Sequence, residues 1–271
     1  MATVNVSNWV EFLSAIAVAG DTVNLPEDEE WDMNEIAPEG VGRITIACAN
    51  VNGNGTVIKN LRSTDGMVTA DGTELNGLKM TNIQGVSGIP TDSGICFAYV
   101  NGTLTMKNCV FSGMFTAAFA DFITGYWAAA NMSFCSFNIE MPGTAAGFCG
   151  DALTSAHACN VTPTACRFTI STPNSTRRQQ ISSGNAVSNC ELVLYAPMTS
   201  AVYIPNFNSS TLRGNMQTAT SIEAGGTSTS IYCASDAPSA TVTGSLFEAV
   251  TESQMKDASY LRSIGFMIGD E

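Results

Sequence analysis

A single histidine, His157, stands among 271 residues, and the nine cysteines form no Cys-x-x-Cys pair. The ligand spacing of a structural zinc site is therefore missing. Charge is scarce: only 13% of residues carry it, and eleven bases face 24 acids. Without a basic patch, binding to nucleic acid or to an anionic membrane is disfavoured. No apolar run reaches the length of a transmembrane helix. The stretch "FLSAIAVAG" lacks a positive n-region, and Glu11 interrupts its approach, so it does not read as a signal peptide. Long Lys/Glu/Leu-rich segments are absent as well. Apolar residues still make up 45% of the chain, enough for a sizeable core. Abundant Gly, Ser, Thr and Asn beside them point to many short strands joined by turns.

The charge is uneven. Residues 1–42 carry no Lys or Arg and nine acids, many within "PEDEEWDMNE". That run reads as a solvated loop, or alternatively as an acidic contact for a basic partner. The cysteines behave as small buried hydrophobes and suit a reducing compartment.

One short stretch recurs. "LTMKNCVFSG" has echoes in "LKMTNIQG", "AANMSFCSFNI", "VTPTACRFTI", "AVSNCELVLY", "STLRGNMQTA" and "ATVTGSLFEA". Aligning them places Ile83, Cys109, Cys135, Cys166, Cys190, Met216 and Leu246 at one position, with steps of 26, 26, 31, 24, 26 and 30 residues. Met80, Met106 and Met132 form a second row. Within each copy apolar residues alternate, as in Cys135 and Phe137 or Cys166 and Phe168, which is strand patterning. One strand per repeat, with no hairpin signal inside it, predicts a coil of parallel strands whose like residues stack as interior ladders.

Both ends of such a coil need covering. "SNWVEFLSAIAVAG" puts Trp9, Phe12, Leu13 and Ile16 on one helical face, with Asn8 and Glu11 at capping-box spacing and Gly20 beyond. "TESQMKDASYLRSIGF" reads as a short C-terminal helix through Met255, Ala258 and Leu261. The expected fold is all-β: a single-domain parallel coil over residues 43–250, an N-terminal cap over 1–42 and a C-terminal cap over 251–271.

The cap helix, the "AGDTVNL" start and the roughly 26-residue Asn-Cys repeats resemble right-handed parallel β-helix proteins of the pectin-lyase-like type. The resemblance covers nearly the whole chain. It implies a right-handed solenoid, and one of several roles: polysaccharide lyase or hydrolase, bacterial surface adhesin or glycan-binding module, or phage tailspike and other virion component.

For the enzymes, the resemblance implies clustered carboxylates with an Arg or Lys. Aligning "DFIT" with "DALT" stacks Asp121 on Asp151, about 5 Å apart at the backbone, with Arg177 and Arg178 one turn on. Paired carboxylates could split their pKa values into an acid and a base, or bind a cation. Tyr126 and Trp127 would stack on a sugar. Against this, corner aspartates commonly bond their own turns. There is no Asp-Asp pair and no Arg-x-Lys, and His157 reads as a turn or core residue. The favoured expectation is a non-enzymatic structural protein without cofactor: a phage capsid decoration, head fibre or tail component, assembled in the host cytoplasm. Its partners would be capsid or tail proteins, with a homotrimer formed through aromatics in "FTAAFADFITGYW" and a glycan as alternatives.

Overall fold

The computed structural model describes residues 1–85, 89–91, 94–117, 120–125, 127–149, 159–176, 179–181, 185–195, 202–204, 207–208, 210–215, 222–234, 240–249, 251, 253–254 and 257–263. Strands dominate, and among the described residues they form three sheets of nine, twelve and six strands. Pairing is parallel throughout the named strands except where Ile89–Thr91 lies antiparallel to Gly94–Val100.

From Thr22 to Cys149 the described strands visit the three sheets in a fixed rotation. Thr103–Lys107 lies in the nine-stranded sheet, Val110–Phe115 in the twelve-stranded and Ala120–Thr124 in the six-stranded. Ala129–Ser133, Ser136–Glu140 and Gly147–Cys149 repeat the circuit on the next level. The first corner has a conformational requirement. Gly77, Asn108, Phe134, Ala165 and Asn189 all adopt the left-handed region, each just before the strand of the twelve-stranded sheet. Glycine and asparagine take that conformation cheaply, whereas Phe134 and Ala165 are held in it by their neighbours.

In-register stacking builds the core. Trp31, Ile58, Met80, Phe111, Phe137, Phe168 and Leu192 stand over one another through successive pairings. Phe111 and Phe137 stack with centroids 5.9 Å apart, and Phe137 and Phe168 with 5.1 Å. From the six-stranded sheet, Phe122 and Phe148 pack edge-on against this column and stack on one another, and Phe97 stacks on Phe122. A second row, Val23, Val51, Leu75, Met106 and Met132, fills the nine-stranded side.

These registers revise the sequence alignment. Val110 pairs with Lys79, so Leu78 stands beside Cys109, and Ile83, although buried, pairs with Gly113. The circuit there is longer than 26 residues, and counting by that step landed on the wrong apolar residue. Met80 accordingly lies under Phe111, apart from the Met106–Met132 pair. Past Cys190 the partner is Ser210, whose Oγ accepts the Cys190 N–H at 2.9 Å. Met216 is outside the described residues. Leu246 pairs with Ser230, one residue off the cysteine row.

The N-terminal end is covered by α1 (Trp9–Ile16). The Glu11 amide donates to Asn8 Oδ1, and Glu11 accepts from the Ser7 amide and hydroxyl. These bonds hold its carboxyl below the usual range. Trp9, Phe12 and Ile16 are buried, while Leu13 is only partly so. The helix stops at Ala17, short of Gly20, and the Ile16 carbonyl accepts from Ala47 and Cys48. The acidic run is more than a loop. Glu30–Asp32 is a strand, Met33–Ile36 forms a short helix α2, Trp31 and Met33 are buried, and Lys59 pairs with Glu30 and Asp32. Near the C-terminus, α3 (Ala258–Ser263) is capped by Asp257, which accepts from Ser259 and Tyr260; Met255 lies outside the described residues.

Candidate functional site

Two places hold polar side chains that the fold brings together: an open groove on the twelve-stranded sheet and a buried cluster around Asp121.

The groove, about 400 Å3, is lined by Thr81, Asn82, Ser112, Gly113, Met114, Asn138 and Glu140. Strand alternation supplies it. In Ser136–Glu140, Phe137 and Ile139 are buried while Asn138 and Glu140 face solvent. Its floor is shaped by a register shift between Met80 and Ile83, where Asn82 takes φ 52°. A Cβ on Gly113 would collide with the Ile83 carbonyl, so only glycine permits this close approach. A polar stripe leads away from it. Ser112 Oγ accepts from the Asn82 amide, Asn82 Nδ2 donates to Asn60 at 2.6 Å, and Asn60 Nδ2 donates to Asp32 at 2.9 Å. The Asn60 bond is the main reason the Asp32 carboxyl lies below its usual value. Among the lining residues Glu140 is the one carboxylate. The groove can therefore exchange hydrogen bonds with a polar ligand but holds no acid–base pair.

Asp121 is only 6% exposed. Phe122, Ile123 and Thr124 beside it are buried too, so both faces of this strand are covered. Its partners in register are Cys96 on one side and Gly147 on the other. The expected stacking of Asp121 on Asp151 is thus replaced by Asp121 on Gly147: the circuit closes four residues earlier than the "DFIT"/"DALT" alignment assumes. Asp151, His157, Arg177 and Arg178 lie outside the described residues. A Cβ on Gly147 would come within 3.7 Å of Gln179 Oε1 and 3.8 Å of Asp121 Oδ1, so both oxygens approach the space that glycine leaves. Nearby, the Ala146 carbonyl accepts from Ser175 Oγ at 2.7 Å and Gln179 Nε2 at 3.0 Å. These are bonds that satisfy polar groups inside a closed interior. Burial, reinforced by the Asp121 charge, pushes the Cys96 thiol up to about 12.

The expected aromatic contact divides. Phe115 and Phe122 are in the core, while Trp127 is 81% exposed; Phe119 and Tyr126 are outside the described residues. Phe134 is also exposed, at 68%.

Cys109, Cys135, Cys166 and Cys190 are buried and stand in one row. The Cys135 amide donates to Cys166 Sγ and the Cys166 amide to Cys190 Sγ, each at 3.4 Å. Each thiol of the row also donates to the carbonyl two residues before it. Hydrogen bonds from Cys135 and Cys190 on either side hold the Cys166 thiol down, while Cys135 is pushed up through its bonds to Cys109 and Cys166. Among the described residues no group of three or more His, Cys, Asp or Glu is placed to hold a metal ion, and no helix is long and apolar enough to cross a membrane.

Two features escaped the sequence reading. The alternation in the sequence shows Phe111, Phe137, Phe168 and Leu192 of the column, but not its continuation through Met80, Ile58 and Trp31 or its packing against Phe122 and Phe148. An asparagine ladder runs through the nine-stranded sheet: Asn24 Nδ2 donates to Asn5, Asn52 Nδ2 to Asn24, and Asn76 Nδ2 to Asn52, at 2.9, 2.8 and 3.3 Å. Its signal was present in "TVN" at 3–5 and 22–24 and "NVN" at 50–52. No protein-family model matches the chain, and no curated protein matches it.

Proposed function

We propose that this protein is a right-handed parallel β-helix of the pectin-lyase-like type that serves as a non-enzymatic structural component of a larger assembly. A phage particle is the kind of assembly meant, with the chain as a capsid decoration, head fibre or tail part built in the host cytoplasm. In this reading residues 1–42 cap one end of the solenoid, 43–250 form its coils and 251–271 cap the other end.

The observation that carries the reading is the burial of Asp121 against Gly147. A carboxylate sealed inside a sheet cannot reach a glycosidic bond in a polymer, and the open groove offers one carboxylate where hydrolysis needs two. The stacked phenylalanines and the asparagine ladder supply a stiff body. The test is an end-group assay on a panel of acidic and bacterial surface polysaccharides, with and without Ca2+. The expected result is no new reducing or unsaturated ends. Turnover that disappears in Asp121→Asn or Asp151→Asn would establish a lyase or hydrolase instead.

One observation favours a second reading, a glycan-binding module such as an adhesin. The groove carries Asn82, Ser112, Asn138 and Glu140 toward solvent. Retention on a glycan array that is lost in Asn138→Ala, with no cleavage, is what that reading requires.

A further inference from the structure

We propose that the cysteine row is a binding site for one soft d10 cation of the copper(I) class, held in two-coordinate fashion between Cys135 Sγ and Cys166 Sγ. Ser136 pairs with Arg167, so the two cysteines that precede them occupy equivalent places on adjacent levels. Parallel strands repeat at about 4.8 Å. Zinc–thiolate bonds are about 2.3 Å, and two-coordinate copper(I)–thiolate bonds are somewhat shorter, so a linear S–Cu–S unit spans a little less than about 4.6 Å. The sheet repeat therefore sets the two cysteines near the separation a linear dithiolate complex needs.

Both thiols are buried, and the strands that carry them border an open groove on the outer surface. A groove of about 400 Å3 is lined by Phe134, Cys135, Ala165, Cys166, Arg167 and Glu191, among others. The exposed ring of Phe134 flanks it, and small Ala165 leaves it open. Arg167 offers a positive charge beside the anionic complex, although it already pairs with Glu191 at 3.0 Å.

The donor set selects the metal. Two sulfurs and no third ligand among the described residues cannot satisfy tetrahedral zinc or an oxygen-seeking cation. Thiolates prefer soft ions, and a linear d10 cation accepts two of them. Binding exchanges protons for the ion: two thiols and one copper(I) give a bis-thiolate complex of charge minus one and release two protons to solvent. The S–H bonds surrendered are those to the Ser133 and Thr164 carbonyls.

The experiment uses full-length reduced protein under anaerobic conditions. Copper(I) is added in the presence of a chromophoric copper(I) chelator as competitor, with native mass spectrometry for stoichiometry and a thermal melt alongside. The expected result is one copper(I) per chain withheld from the competitor, and a melting temperature raised by copper. Cys166→Ser and Cys135→Ser should each lose both effects, while Cys159→Ser, a buried cysteine off the row, keeps them. Serine fits this slot, since Ser210 already fills it above Cys190. Should a serine variant fail to fold, X-ray absorption on the wild-type complex decides the matter: two sulfur neighbours and no nitrogen or oxygen are required. Surrender of all copper to the competitor, equal retention by folded Cys166→Ser, or a different coordination shell would overturn the proposal.

Discussion

Two strands with only eleven residues between them live in different surroundings. Ser136–Glu140 shows buried and exposed side chains in turn, with Asn138 and Glu140 in water. Ala120–Thr124 shows no such alternation: Asp121 through Thr124 are all buried. The first lies where its sheet has one solvent face, the second where its sheet is covered on both; the contrast is between these stretches, since Thr45 in the six-stranded sheet is exposed and Glu191 to Leu194 in the twelve-stranded sheet are buried. A carboxylate on the open face, as Glu140 is, is available to a ligand. A carboxylate in a strand covered on both faces, as Asp121 is, is part of the interior, and its chemistry is directed at its neighbours.

The most severe way to break this contrast is to place a cation at equivalent depths of the two strands. Ile123→Lys buries an unpaired charge, and a loss of more than about 4 kcal/mol is expected, enough to unfold the protein. Asn138→Lys points into water and should change stability by less than about 0.5 kcal/mol. Urea denaturation of the two variants checks both values. Next in size is Phe137→Ala. This ring joins the column of Phe111 and Phe168 to Phe122 and Phe148 of the six-stranded sheet. Its loss should cost about 3–5 kcal/mol by chemical denaturation, because the sheets share that contact.

A smaller effect of opposite sign sharpens the account of the corner. Phe134 holds φ 55° where Asn108 and Asn189 hold nearly the same angle. Phe134→Asn should stabilise the protein by about 1 kcal/mol, seen as a raised melting temperature, since asparagine tolerates that region and the ring is mostly in water. The smallest effect is electrostatic. The Lys107 ammonium, 2.9 Å from Glu74, is the first cause of the lowered Glu74 carboxyl, with Asn76 next. A carboxyl depressed by folding stabilises the native state above its ordinary value of 4.5. That contribution is lost as pH falls below that value. Stability measured from pH 6 downward should fall less steeply in Lys107→Met, by under about 1 kcal/mol in all.

The strand repeats were legible because the Asn-Cys step is a corner signature: a residue that tolerates positive φ, then a small buried one. Leu78 escaped because its corner residue is Gly77 and the following circuit is 31 residues long. The alternation around Cys135 and Phe137 was readable from hydrophobicity alone. The environment of Asp121 was not. What stacks on it depends on register, which is set by where the chain closes its circuit and not by the resemblance of "DFIT" to "DALT". That this part of the sheet is covered on both faces depends on residues distant in sequence, among them the buried Gln179, whose Oε1 lies beside Gly147. The asparagine ladder was written plainly in "TVN" and "NVN", but it reads as a ladder only once the strands are known to be in register.

Carboxyl labelling tests the contrast most directly. Folded protein is treated with a water-soluble carbodiimide and a small amine, and the modification rate of each acid is followed by peptide mass spectrometry. Glu140 should label at the rate of an exposed carboxylate, and Asp121 should stay unmodified until denaturant unfolds the chain. Labelling of Asp121 at a rate matching Glu140 under native conditions would contradict the account, and would return Asp121 to the list of groups a substrate can reach.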